Sequence, residues 1–600
     1  MDRAKYQLVS DKFREFFLPT LFMTMANNLA IFVDSVLTSK FLGVDKIPAI
    51  EFCYPYVSLI NMIYWMLGFG GMLLSSNALS DHDSEKADRI FIGTIFGILL
   101  SSLAAMAVCL IFRSQILSIL CMDATFRPTV EPYYVMVVLG TPFISLLMCI
   151  SYFARADGCP KLPFRAILIA NIINLGMDCL LMKGAKLGLG GAALATIIGN
   201  VAGLLYIVIA YKRSKVRQLR LQPLFSWPVR QIAGDLKRIC LKGFPTASFQ
   251  LYSTVASQVL NNMVRHYAGK TGMEAYSIYQ NTLYLTFILM IGTAQTLSPI
   301  VSVYAHEGDY DRARFILWRT LKIALGGMTC VGIFFFCFPH LLTDIFQAET
   351  AEQISCFATG IRICVFAFLG MTFTFVMTYY LQAIKHDRLS AVVTILESLI
   401  LPVAVTLLLA PRLGITGVWI SILFTESISS LIILAAMLRM RGKGMKLMLP
   451  SQAADGMYFL TAEAGKENSC TCVAEAVHLA EERWGKPSAD RVGACVEIML
   501  AGIHAVNAKG DGRERGKGSV DICLKEEGDA ILLSFKDMGR VFDPTAFSEN
   551  AASTAAATAA AAAGEDALTD SVNRLRELAE EIKYDRSLGM NATQIRVQCL

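Results

Sequence analysis

Runs of roughly twenty apolar residues recur along this chain from Phe16 to Leu438, and none appears between Arg439 and Leu600. About twenty residues rising 1.5 Å each match the ~30 Å hydrocarbon core of a bilayer, so each run is long enough to cross as an α-helix. Backbone in lipid must satisfy its own hydrogen bonds, which limits this part of the chain to a bundle of helices. The composition agrees, with 54% of the 600 residues hydrophobic and only 17% charged, where soluble domains carry about a quarter. The first run, Phe16 to Phe41, is long enough to span and lacks a small-residue cleavage site, so a retained first helix is expected rather than a signal peptide.

Bounding the runs by charges and by Gly or Pro predicts spans near 16–40, 52–78, 90–112, 131–154, 163–183 and 190–211. Six more are predicted near 241–265, 277–304, 315–338, 356–383, 390–410 and 415–438. The expected fold is a polytopic all-α membrane protein of twelve transmembrane helices, arranged as two parallel six-helix repeats and followed by a small α/β sandwich. Its divisions are a cytosolic N-terminus 1–14, a first bundle 15–212, a cytosolic linker 213–238, a second bundle 239–440, a linker 441–468 and a soluble domain 469–600. Basic residues crowd the N-terminus (Arg3, Lys5, Lys12, Arg14), the sixth-to-seventh connection (Lys212, Arg213, Lys215, Arg217) and the exit (Arg439, Arg441, Lys443, Lys446). The positive-inside rule puts all three in the cytoplasm and the protein in the plasma (inner) membrane, with both termini inside. The ninth-to-tenth connection has no Lys or Arg from Pro339 to Ser355, as an outside loop should.

The chain also resembles itself. Pro19 and Pro245, Gly43 and Gly269, and the runs Lys186-Leu-Gly188 and Arg412-Leu-Gly414 are each related by an offset of 226. Six spans per half give both halves the same orientation, and transporters built this way place their site between the halves. The net charge of +5 suits basic cytoplasmic loops and gives no argument for a nucleic-acid partner. The sixteen cysteines lie scattered, many inside apolar runs, so neither a disulfide framework nor a metal site is expected; the Cys470-x-Cys472 pair has no second pair at finger spacing.

Ionisable side chains deep in a span are costly and therefore point to function. Asp34 lies in span one with Asn27 on the same helical face, and Asn171, Asn174 and Asp178 form a polar stripe at i, i+3 and i+7 in span five. Both aspartates follow a proline by fifteen residues, which places them in one layer of the membrane. Such a pair can bind and release a proton or hold a sodium ion, competing with a cationic substrate. The offset replaces Asp34 and Asp178 by Leu260 and Ala404, so cation coupling is expected in the first half. Gln250, Asn261, Gln280 and Asn281 are expected to line the cavity, with Glu397 where the repeat puts Asn171 and Glu426 in the last span.

Residues 14–440 resemble the multidrug and toxic compound extrusion (MATE) family. The features are Leu-Pro19, Val-Asp34 with Phe-Leu-Gly43, Arg155-Ala-Asp-Gly158-x-Pro-Lys161, Asn174 with Asp178, and Gly190-Gly-Ala-Ala-Leu-Ala-Thr196. In the second half they are Gly243-Phe-Pro245, Gly292-x-x-Gln295 with Pro299, Glu307-Gly-x-Tyr310 and Gly417-Val-Trp419. The resemblance implies a V-shaped pair of bundles, alternating access, and exchange of small cationic or amphipathic organic compounds for protons or sodium. Asp34 and Asp178 match acids that the family uses in its first half. Lipid-linked sugar flippases share this architecture.

After residue 469 the pattern changes to helices at Cys472–Trp484 and Asp490–Val506 and strands at Val520–Leu524, Ile531–Phe535 and Thr593–Val597. With Glu497, Asp537-Met-Gly539, Phe542-Asp543-Pro544 and Gly589-Met-Asn591, this part resembles the histidine-kinase-like ATPases, especially anti-sigma-factor kinases. The resemblance implies that Asp537 and Gly539 meet the adenine of ATP. Ala501 stands where the family has a magnesium-binding Asn, and the run Ala551 to Ala563 replaces its glycine-rich lid. Weak ATP binding, or a regulatory protein partner, is the expectation; a membrane-anchored kinase is the alternative.

Overall fold

The computed structural model describes residues 4–42, 47–81, 83–120, 127–185, 187–213, 219, 227–345, 351–450, 456–462, 466–507, 519–545, 565–587 and 589–599. Within these, the side chains at 32–36, 38–42, 47–52 and scattered positions including 281 lie outside the described set. The first half comprises α1 (Gln7–Leu42), α2 (Ile47–Ser80), α3 (Ser84–Ile111), the short α4 (Arg113–Leu120), α5 (Arg127–Ala156), α6 (Lys161–Asp178) and α7 (Gly188–Arg213). The second comprises α8 (Val229–His306), α9 (Tyr310–Cys337), the short α10 (Pro339–Ile345), α11 (Ala351–Ala383), α12 (Asp387–Ile395) and α13 (Leu401–Arg441). Among the described residues, nine helices are long and apolar enough to cross a membrane.

Two predicted connections are absent as loops, because a single glycine makes each turn. α8 runs through both predicted spans seven and eight and breaks at Gly269 (φ 65°, ψ −158°), and α13 breaks at Gly414 (φ 58°, ψ −135°). A side chain is strained in either conformation, so glycine allows the bend without intervening coil.

The 226 offset reappears in three dimensions. α3 and α9 start and end 226 residues apart. Asp83 caps α3 by accepting from Lys86 N at 3.0 Å, and Asp309 caps α9 by accepting from Arg312 N at 3.1 Å. Gly188 and Gly414 share a positive φ, 60° and 58°. The halves meet tightly at one end of the bundle: an added Cβ on Gly70 or Gly243 would strike the other helix's backbone. Close by, Ser302 Oγ donates to Asn77 Oδ1 at 2.8 Å, Arg155 Nη1 to Gln295 Oε1 at 2.6 Å, and His306 Nε2 lies 2.7 Å from Asp81 Oδ1.

The same end carries the C-terminal domain. Strands β3 (Met457–Ala462), β4 (Val520–Glu527), β5 (Ala530–Asp537), β6 (Glu581–Ser587) and β7 (Met590–Gln598) form an antiparallel sheet in the order β3-β4-β5-β7-β6. The small hairpin of β1 (Met445–Lys446) and β2 (Leu449–Pro450) precedes it. Helices α14 (Lys466–Trp484), α15 (Lys486–Asn507) and α16 (Glu565–Leu578) cover one sheet face over Leu460, Ile522, Leu533 and Ile595. The sheet takes in β3, so the domain starts before the expected residue 469: that strand is short and bounded by polar residues, and looks like linker until it pairs with β4.

Candidate transport site

α6 packs against α1 and α7, and its polar stripe makes the joints. Asn171 Nδ2 donates to the Ala26 carbonyl of α1 at 3.0 Å, and Asn174 Nδ2 lies 3.3 Å from Thr196 Oγ1 of α7. Asn171 thus pins α6 beside the residue that precedes Asn27, itself half-buried. Asp178 ends the α-helical part of α6, where a wider turn over Cys179–Gly184 begins, and is 1% exposed. A carboxylate enclosed this far inside an apolar bundle needs a compensating proton or cation unless its neighbours supply hydrogen bonds. The three residues thus share α6, with Asn171 bonded to α1 and Asn174 to α7. Asp34 lies in α1, with its side chain outside the described residues.

In the second half, Gln250 Nε2 reaches across to α2, 3.3 Å from both Tyr54 Oη and Ser58 Oγ, and Thr254 Oγ1 lies 3.0 Å from the same Ser58. Gln250 therefore stands at the boundary between halves. Asn261 Oδ1 is buried with no hydrogen-bond partner among the described residues, Gln280 is half-buried, and the side chain of Asn281 lies outside the described residues. Glu397 and Glu426, each 7% exposed, converge on one hydroxyl: Thr374 Oγ1 of α11 is 2.7 Å from Glu397 Oε1 and 3.5 Å from Glu426 Oε2. A void of about 10 Å³ beside Glu397, walled by Phe249, Phe375, Thr378, Tyr379 and Thr394, is large enough for one water. The two glutamates stand out singly in the sequence; their meeting depends on how the wide turn Leu396–Ile400, which bears Glu397, packs against α11 and α13.

In the C-terminal domain, Asp537 ends β5 and is 3% exposed. Its Oδ1 accepts from Gly539 N at 2.7 Å and from Asn591 Nδ2 at 2.9 Å, while Tyr584 Oη donates to Asn591 Oδ1 at 2.9 Å. Burial nevertheless pushes the Asp537 carboxyl up to about 6. Asn507 sits against Gly539 and accepts from Arg540 N at 2.8 Å, and Phe542 packs on Gly502 of α15. Asn507 thus reaches the Asp537 loop from the last turn of its helix, whereas Glu497 is exposed on α15. The Ala551–Ala563 run lies outside the described residues. Among the described residues no group of His, Cys, Asp and Glu is placed to hold a metal ion.

The MatE family model matches residues 19–180 and again 245–408, two stretches whose starts are 226 apart. The chain belongs to the MatE family. Among the curated relatives of this MatE chain is the multidrug export protein MepA of Staphylococcus aureus (strain MRSA252), 25% identical over 421 residues, 69% of this chain and 90% of that protein. The MepA of Staphylococcus saprophyticus is 25% identical over 426 residues, with the same coverage, 69% and 90%. Among solved structures, an outward-facing multidrug resistance MATE family transporter of the MOP superfamily superposes with a TM-score of 0.68 at 18% identity, over 74% of this chain and 98% of that one. A MOP superfamily transporter from Pyrococcus furiosus, described by the reverse polarity of its binding pocket, gives the same score, 0.68, at 18% identity and the same coverage, 74% and 98%. At that identity the superpositions show the fold alone, a polytopic, mostly helical membrane transporter.

Proposed function

We propose that this MatE chain is a secondary active exporter of small cationic or amphipathic organic compounds, driven by inward flow of protons or sodium through alternating access. The observation that carries the reading is Asp178, enclosed in the first half on the helix that Asn171 fastens to α1 beside Asn27, the helix that also bears Asp34. A site of that kind takes up a cation from one side and is emptied by a substrate cation from the other. The MepA relatives, named as multidrug exporters, support the substrate class. In this reading there are twelve spans, with Gly269 and Gly414 as the turns inside α8 and α13, so both termini share one side, and the basic residues near them assign that side and the C-terminal domain to the cytoplasm. Gln250, Asn261 and Gln280 line the path in the second half. Glu397 and Glu426 add a second acidic position there, since two buried carboxylates sharing one hydroxyl are held most cheaply with a proton or cation between them.

The C-terminal domain serves regulation in this reading. The resemblance assigns Asp537 and Gly539 to adenine, but Asn591 already donates to Asp537 Oδ1, and Ala501 supplies no metal ligand. ATP binds weakly there and phosphoryl transfer stays near background, because that chemistry depends on positioned metal and phosphate contacts.

Efflux of a cationic dye from cells expressing the full chain tests the function. Dye retention that falls on expression and recovers with Asp178→Asn supports it; unchanged retention, with movement of a lipid-linked sugar instead, transfers the protein to the flippase reading.

A further inference from the structure

The β6–β7 turn of the C-terminal domain lies where the two halves meet. A Cβ added to Gly589 would sit 3.0 Å from the Cα of Gly158, in the α5–α6 connection of the first half, and 3.4 Å from Nζ of Lys12 in α1. Its neighbour Met590 is fully buried, with Sδ 4.0 Å from Tyr304 Oη near the end of α8 in the second half. One turn therefore touches both halves.

The sheet face left open by α14, α15 and α16 lies on the ends of α8 and α9. Arg312 Nη2 donates to Asp521 Oδ1 and to Thr461 Oγ1, both at 2.8 Å, while Asp309 holds the other side of the guanidinium. Lys536 pairs with Glu307. Arg312 and Asp521 are 2% and 5% exposed, so their ion pair is shielded from water, while a cavity of about 350 Å³ lined by Glu307, Asp309 and Lys536 opens beside it. The repeat shows what the domain has taken over. Asp81 is the offset counterpart of Glu307; it reaches across to His306 of the other half, whereas Glu307 is turned to Lys536 of the domain. The second half thus spends on the C-terminal domain a position that the first half uses for closure.

We propose that the C-terminal domain is a lock on the transport cycle: by gripping Glu307 and Arg312 of one half and seating its β6–β7 turn against Gly158 and Lys12 of the other, it holds the two halves together at this end. Alternating access requires those ends to part. The lock therefore favours the state closed toward the domain and sets how often the carrier opens there. The proposal rests on the reading of this end as cytoplasmic, and its test reads opening without using any substrate.

Ser302 is 1% exposed in the closed joint beside Asn77. In the full chain carrying Ser302→Cys, with accessible native cysteines changed to Ser, the rate of modification by a membrane-impermeant maleimide in inside-out vesicles reports opening at this end. Lys536→Glu should raise the rate at residue 302 about tenfold, and the exchanged pair Glu307→Lys/Lys536→Glu should return it toward the parent value. Restoration by the exchange excludes simple misfolding of the single variant. A single variant that labels at the parent rate, or a fast single variant that the exchange leaves fast, overturns the lock.

Discussion

In the proposed exchange, coupling rests on Asp178 and Asp34, and their isosteric amides separate charge from shape. Asp34→Asn is expected to abolish cation-coupled efflux with membrane insertion intact; Asp178→Asn should act in the same direction, less completely if the two titrate as a pair. Gradient-driven dye transport and the amount of protein in the membrane fraction check both. At Asp537 the expectation concerns pH. Its carboxyl rises from 3.8 unfolded to about 6 folded. Its contribution to stability is therefore complete below about pH 4 and is lost as pH climbs through 6, a difference of roughly 1–3 kcal/mol. Asp537→Asn, which keeps an acceptor for Gly539 N, should melt at a higher temperature than the parent at pH 8 and not at pH 4. Any adenine contact needs the ionised acid, so ATP binding by calorimetry should weaken as pH falls through about 6.

Helices carry predictions of their own. Gly243 lets α8 lie on the backbone of α2 at Met66, and an alanine there would collide with that carbonyl. Gly243→Ala should therefore part the halves at this end, speed maleimide labelling of Ser302→Cys, and slow efflux severalfold. Much of the helix layout was legible in sequence, because the apolar runs mark the helices, and Gly269 and Gly414 fall at the turns inside α8 and α13. The stripe from Asn171 to Asp178 was legible for the same reason: helical spacing alone puts it on one face. The Gln250–Ser58 bridge and the meeting of Glu397 with Glu426 at Thr374 were not, since they join residues 192, 23 and 52 positions apart and depend on helix rotation. The strand β3 escaped notice because only pairing with β4 reveals it.

For the molecule as a whole, two repeats close a transport unit before the C-terminal domain begins, and the domain then grips both. Deleting residues 451–600 is expected to leave a folded carrier that transports faster than the full chain, seen in initial efflux rates normalised to protein; loss of the folded membrane unit would contradict that division. The most direct test of the central claim uses purified full-length protein in vesicles with a cationic dye and either a proton or a sodium gradient imposed separately. Exchange predicts that one inward-directed gradient drives dye the opposite way, that collapsing it with the matching ionophore stops transport, and that Asp34→Asn and Asp178→Asn respond weakly or not at all. Dye movement indifferent to both gradients, or equal in the two variants and the parent, would contradict cation-coupled export.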